Sequence, residues 1–269
     1  MAIHPSALVD KTARVDPSAE IGPYAIIGPE AEIGPRTKVG PHVVVEHATL
    51  GADNVLHAGC YVGTAPQDLK YAGEKTRLAM GDKNVVRECA TLNRGTAQGG
   101  GLTKVGSGCL FMAYSHVAHD CEVGDGAILV NSVALAGHVH VGAGAVLGGL
   151  VAVHQYVRVG RYAMFGGGSM VGQDALPFGM YQGDRAVMRG LNVLGLRRAG
   201  FSREAVSALK TAYKTLFLSG LTQTEALAKL KSGDPAKEVQ EWIGFIESAG
   251  KRGVTRPAAG ATQIEEAAV

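Results

Sequence analysis

The sequence predicts an all-β, left-handed parallel β-helix of triangular coils, followed by an α-helical C-terminal region. Three observations predict it. An aliphatic or similarly apolar residue recurs at every sixth position through most of the chain. Glycine makes up 38 of 269 residues, against a usual share of roughly 7%. After Val171 the six-residue period gives way to helix-capping signals. Counted from Ile3, the sixes fall on Val9, Val15, Ile21, Ile27, Ile33, Val39 and Val45. Counted from Val105, they fall on Phe111, Val117, Val123, Leu129, Leu135, Val141, Leu147, Val153, Val159, Phe165 and Val171. Shorter registers lie between, Leu50–Leu56–Val62 and Met80–Val86–Leu92. A period of six marches around an α-helix without making a stripe, so the helical reading fails.

Each hexad makes one short strand and one corner, with the apolar residue pointing into the prism. Three hexads make a coil, and about nine coils stack at roughly 4.8 Å, the ordinary strand spacing. No coil can bury its apolar face alone, so stacking supplies the stability. The hexapeptide period marks the left-handed form, an exception to right-handed crossovers. Glycine often follows the apolar residue, as at Gly22, Gly28, Gly34 and Gly142, and is expected there for backbone angles that a side chain would penalise. Two polar, glycine-containing stretches interrupt the register, from Thr64 to Arg77 and from Thr96 to Lys104. Both read as loops thrown out from a corner, and such loops on one face of a solenoid often make its binding face.

Beyond residue 190 the pattern is helical. Ser202 is placed to cap a helix with Val206, Leu209, Tyr213, Leu216 and Phe217 on one face. Thr222 and Glu225 form a capping box. Asp234–Pro235 reads as a cap followed by proline at the first helical position. The expected division is a β-helix domain over 1–187, a helical domain over 190–249 and a structureless tail over 250–269.

Composition excludes several classes. Hydrophobic residues are 46% of the chain, enough for a sizeable core. No apolar run reaches the 18 residues of a membrane-spanning helix. The N-terminus lacks a basic segment followed by an apolar one, so no signal peptide is expected and the default location is cytoplasmic. The four cysteines have no CxxC spacing. A net charge of +2 is too small to argue for nucleic acid.

The coil length acts as a ruler, because residues one coil apart lie directly above one another. Gly137 then stacks on His119, Gln155 on Gly137, and His138 on Asp120. His116, His119, His138 and His154 converge within about three coils, roughly 10–15 Å of height, while His4, His42, His47, His57 and His140 are scattered. His119 beside Asp120 suits a general base, since a carboxylate orients an imidazole and supports its cation. Gly137 offers a backbone N–H with no side chain in the way, as an oxyanion hole requires. Ser115 and Cys121 flank the cluster, but neither pairs with His119 as a nucleophile would. Four histidines could instead bind zinc.

The segment PQDLKY (Pro66 to Tyr71), the run from Arg94 to Gly106, His116 to Cys121 (HVAHDC), Leu135 to Val139 (LAGHV), Val153 to Gln155 (VHQ) and Arg197 to Glu204 (RRAGFSRE), in this order on hexads, resemble the hexapeptide-repeat acyltransferases that open lipid A synthesis by acylating UDP-N-acetylglucosamine (UDP-GlcNAc). The resemblance covers residues 1 to 248. It implies a homotrimer with sites in clefts between prisms, needing no cofactor or metal. A 3-hydroxyacyl group would pass from acyl carrier protein to the glucosamine 3-position. His119 would be the base, Asp120 its support and Gly137 the oxyanion donor. Gln67, Asp68, Lys70, His116, His138, His154 and Gln155 would place the substrates. Asn192 and Arg198 would reach the nucleotide. Gly166, Gly167 and Met170 would set acyl length, small residues there leaning toward a long chain. Asn93 stands where better-known members have histidine, which brings in a 3-amino sugar nucleotide as acceptor. Leu194 and Ala199 stand where members often carry an acidic residue and a second arginine. The main rival on the same fold is a γ-class carbonic anhydrase-like zinc enzyme.

Overall fold

The computed structural model describes residues 2–258. Among these residues the chain forms a triangular prism of three sheets with eleven, nine and eight strands. Successive strands pass from the first sheet to the second and then the third, so every coil contributes one short strand to each face. Pairing is parallel and in register: Ala2 lies on Glu20 and Glu20 on Lys38. The prism is a left-handed parallel β-helix. Every hexad residue from Ile21 onward is buried. Val9 is 39% exposed, because the first coil has no neighbour on its open side.

The expected reason for the glycines after the apolar residue holds at Gly63, φ 80°, but not at Gly22, Gly28, Gly34 or Gly142. Left-handed backbone occurs two positions later, at residues such as Tyr24, Glu30, Asp120 and His138. Gly22 has no positive φ. A Cβ there would fall 2.9 Å from the Val39 carbonyl oxygen and from the Gly40 carbonyl carbon of the next coil. Close approach between stacked backbones, not an unusual torsion angle, selects glycine at that position.

The two interruptions are loops, and they leave the same edge. One joins strand Tyr61–Thr64 of the second sheet to Arg77–Met80 of the third. The other joins Thr91–Asn93 to Leu102–Val105 across the same two sheets. Val55 therefore pairs with Val85 and Val85 with Leu110, before the regular spacing resumes at Lys104 and Glu122.

The stretch after Val171 continues the prism. Met180 lies on Met164, and Gly179–Gln182 makes an antiparallel pair with Val187–Leu191. This last strand runs across the domain boundary expected at 187–190. The helices are α1 (Val193–Arg198), α2 (Arg203–Tyr213), α3 (Gln223–Lys231) and α4 (Lys237–Glu247), with a π-helical turn at Lys214–Leu218 after α2. Ser202 caps α2, and Thr222 with Glu225 closes a capping box on α3. Asp234–Pro235 does not open α4: Asp234 has φ of 49°, and the helix begins after Ala236. The helices dock on the top of the prism through Trp242, which is fully buried and donates to the Pro177 carbonyl at 2.7 Å.

The segment after residue 250 does not begin as the structureless tail that its composition suggests. Val254 and Thr255 are buried, and Val254 bridges Asp174. The rest of the expected tail, 259–269, lies outside the described residues. Among the described residues no helix is long and apolar enough to cross a membrane.

Candidate active site

The edge between the second and third sheets carries both loops and the histidine column. His119 and Asp120 sit at its corner between His116–Val117 and Glu122–Val123. Asp120 adopts the left-handed conformation, φ 59°, and its backbone N–H donates to Thr103 Oγ1 at 2.8 Å. Its side chain is 1% exposed. Thr96, from the second loop, donates twice to the carboxylate, from its backbone N–H to Oδ1 at 2.8 Å and from its hydroxyl to Oδ2 at 2.6 Å. The same Oδ2 lies 2.7 Å from His119 Nδ1. A carboxylate so supplied with donors accepts from the imidazole, so Nδ1 carries the hydrogen and Nε2 presents its lone pair.

Gly137 lies under that ring. A Cβ on Gly137 would fall 2.5 Å from His119 Cε1 and 2.7 Å from Nε2. The site needs glycine here because an imidazole occupies the side-chain position. His138, at φ 61°, meets His119 edge-on at 5.2 Å and stacks on Tyr156 at 4.4 Å. Burial lowers the proton affinity of His138, against a raising influence from Asp120 and from Asp68. His116 bonds Thr91 Oγ1 at 2.7 Å, and burial followed by the neighbouring His119 holds its pKa below the ordinary value.

Arg94 fastens the first loop. Its guanidinium donates to Glu46 Oε1 and the Gly63 carbonyl, both at 2.9 Å, and to the Tyr71 hydroxyl at 3.1 Å. Gln67 and Lys70 stand exposed on that loop beside Asp68. Further along the edge, His154 and Gln155 are exposed and touch Arg252. Asn192 is buried and caps α1: its carbonyl accepts from the Gly195 N–H at 3.1 Å and its amide donates to Tyr162 at 3.0 Å. Arg198, in the last turn of α1, is exposed. Met170 tops an outward column of His116, Ala134 and Ala152. Gly166 and Gly167 lie just before it, Gly167 exposed.

Thr96, Thr91, Thr103, Tyr156 and Arg252 were not among the residues that the sequence singled out. The ruler could not find Thr96, because the inserted loop leaves the hexad count. One signal was present: a Cβ on Gly99 would collide with the Asp120 carboxyl carbon, so this glycine is the imprint of a buried carboxylate, while Gly100 and Gly101 serve a left-handed turn.

Cys121 is no nucleophile: it is buried, its thiol pushed up to about 12 by burial, with Sγ 3.2 Å from the Ala136 carbonyl. His119, Asp120 and His138 place three possible ligand atoms within 4.8 Å of one another. The third donor in that set is a carboxylate already engaged by Thr96 and His119, not the third histidine of the zinc rival.

Comparison with known proteins identifies the family. The family described as Udp N-acetylglucosamine O-acyltransferase, domain 2, matches residues 174–255, and bacterial transferase hexapeptide repeats match 12–47 and 102–137. An acyl-(acyl carrier protein)–UDP-N-acetylglucosamine O-acyltransferase of Myxococcus xanthus is 50% identical over 209 residues, 77% of this chain and 81% of that protein. The crystal structure of the UDP-N-acetylglucosamine O-acyltransferase of Moraxella catarrhalis superposes with a TM-score of 0.92 at 42% identity, over 95% of this chain and 100% of that one. The Francisella novicida UDP-N-acetylglucosamine acyltransferase gives 0.91 at 36% identity, over 96% and 95%. With half its residues shared over most of both lengths, the chain belongs to the family of UDP-N-acetylglucosamine O-acyltransferases.

Proposed function

We propose that this enzyme transfers a 3-hydroxyacyl group from acyl carrier protein to the glucosamine 3-position of UDP-GlcNAc, the opening reaction of lipid A synthesis, in the cytoplasm and as a homotrimer. The observation that carries the chemistry is the His119–Asp120 contact, with Gly137 beneath the imidazole.

His119 Nε2 takes the proton of the 3-hydroxyl as its oxygen attacks the thioester carbonyl. Asp120, held in place by the two Thr96 donors, stabilises the imidazolium. The carbonyl oxygen becomes an oxyanion, and the Gly137 N–H, for which the described residues provide no protein acceptor, donates to it. Such a donor is worth about 3 kcal/mol in the transition state. Collapse breaks the C–S bond, and the imidazolium returns its proton to the departing thiolate. Asp68, Gln67 and Lys70 on the first loop, with His138 and His116, hold the sugar over His119. His154, Gln155, Asn192 and Arg198 serve the nucleotide and acyl ends, Asn192 by fixing the start of α1. Between His116 and Met170 the small side chains of Ala134 and Ala152 leave a trough for the acyl chain, bounded by Gly166 and Gly167. Exposed arginines beside the cleft attract the acidic carrier protein.

Mass spectrometry of products from a panel of acyl carrier proteins with UDP-GlcNAc or its 3-amino analogue tests the reading. A 3-O-acyl product supports it. An amide from the amino sugar alone moves the acceptor to the alternative raised by Asn93. No acyl product, together with stoichiometric zinc in the purified protein, supports the carbonic anhydrase reading instead.

A further inference from the structure

The C-terminal segment brings a cation to the edge of the site. After α4 the chain turns back across the prism, and residues 252–256 are tied down on both sides of the turn. The Arg252 carbonyl accepts from Gln173 Nε2 at 2.6 Å. The Thr255 N–H donates to the Asp174 carbonyl at 2.7 Å and its hydroxyl to the Gln173 carbonyl at 3.3 Å. The Arg256 carbonyl accepts from the Met188 N–H at 3.0 Å. Val254 is buried between these contacts. Asp174 is itself held by Arg158, through Nε at 2.7 Å, and Arg158 also donates to the Phe245 carbonyl in α4.

This anchoring delivers the Arg252 side chain to His154 and Gln155. Its Nη1 lies 2.9 Å from His154 Nδ1 and 2.7 Å from the Gln155 carbonyl oxygen. The carbonyl is a neutral acceptor. Among the described residues no carboxylate lies within ion-pair distance of Arg252. Its other guanidinium nitrogens are left for a ligand, and the side chain is exposed. Gln155 stands two coils above His119 in the same column, roughly 10 Å away. The edge therefore presents a fixed, unneutralised guanidinium fork near the reacting atoms. Such a fork matches the oxygens of a phosphate better than any other cationic side chain.

Resting on the acyl-transfer reading above, we propose that Arg252 is a substrate-binding residue that grips a phosphate ester on one of the two substrates. Two sources share that chemistry: the diphosphate of the sugar nucleotide, and the phosphodiester that joins the pantetheine arm to the carrier protein. A guanidinium only donates, so the Gln155 carbonyl accepts from it, and His154 Nδ1, itself 3.1 Å from that carbonyl, completes the cradle around Nη1.

The test is steady-state kinetics of the full chain as wild type, Arg252→Ala and Arg252→Lys, varying UDP-GlcNAc and 3-hydroxyacyl carrier protein separately, with calorimetric titration of UDP-GlcNAc alongside. Arg252→Ala is expected to raise one KM about 10- to 100-fold, the range for losing a charge-assisted hydrogen-bond pair. kcat should change little, and Arg252→Lys should fall between. A rise in KM for UDP-GlcNAc, matched by a weaker calorimetric Kd, assigns the nucleotide diphosphate. A rise confined to the carrier protein assigns its phosphodiester. Unchanged KM for both substrates, or a loss in kcat alone, overturns the proposal even if the wild type is fully active. A wild type that transfers no acyl group from any carrier would instead remove the acyl-transfer reading on which it rests.

Discussion

Gly137 and His119 are a single device at the scale of the residue. The sequence ruler places them one coil apart and assigns each a separate role, base and oxyanion donor. The structure adds that the ring rests on the glycine, with no room for a methyl group. Gly137→Ala must therefore push the imidazole aside before it alters any N–H. His119→Ala is expected to lower kcat by about 10²–10⁴-fold, the usual worth of a general base, with the fold intact because its imidazole packs at the edge. Gly137→Ala is expected to fall in the same range. The double variant should be no worse than the poorer single, since residues acting as a unit are not additive. Turnover measured for all three enzymes checks this, and multiplicative losses would show that the glycine acts independently of the ring. His116 gives a pH prediction. Burial and His119 place its pKa below 6.5 in the folded chain. Between that lowered pKa and 6.5 the unfolded state binds more protons, so stability rises with pH through this window and falls as pH drops below 6.5. For one proton the slope cannot exceed about 1.4 kcal/mol per pH unit. Melting curves from pH 5 to pH 7.5 should show a smaller acid loss in His116→Gln than in the wild type.

Loops and caps are where the elements were most unevenly legible. The hexads fix the strands because a buried aliphatic residue at every sixth position satisfies one geometry. The loops announced themselves as breaks in the count, and the caps of α2 and α3 as short-range side-chain patterns. Thr222→Ala should cost about 1 kcal/mol, the usual value of a lost cap, read as a lower urea midpoint. What holds the first loop was not legible, since Arg94 reaches Glu46 and Tyr71 across an insertion that breaks the ruler. Asp234–Pro235 misled because a cap needs extended backbone, and Asp234 is left-handed. The C-terminal segment was misread because its order comes from backbone pairing with Asp174, which composition does not encode. Arg94→Met should leave the buried Gly63 carbonyl unpaired and cost about 2 kcal/mol. It should also raise the KM for the sugar nucleotide, because Asp68 loses its support. A destabilised enzyme with an unchanged KM would separate the loop from binding.

Three unlike faces give the whole molecule its expected assembly. The outward column of the third sheet is a ladder of charge: Lys104 pairs with Glu122 at 3.0 Å and His140 with Glu122 at 3.4 Å. The outward column of the first sheet runs Val85, Leu110, Ile128, Val146 and Met164. No charge interrupts this upper stretch, although Glu20 and Lys38 occupy the same column lower down, and Met164 is 38% exposed. The second sheet shows Leu8, Ile26 and Tyr61 to the outside, each at least 41% exposed. A prism with one charged face and apolar stretches on the other two has two different patches to bury. Two patches meeting head to tail close into a ring when the rotation permits, and faces about 120° apart on a triangle favour a ring of three. Such closure would also wall the second-sheet side of the His119 edge. Light scattering at micromolar concentration should give three times the 27.8 kDa chain mass. A paired change on the first sheet, Val146→Lys with Met164→Glu, places charge on the apolar column without touching the inward hexads. It should yield a folded monomer that has lost most of its turnover. A monomeric wild type, or a monomeric variant with full activity, would show that one prism suffices.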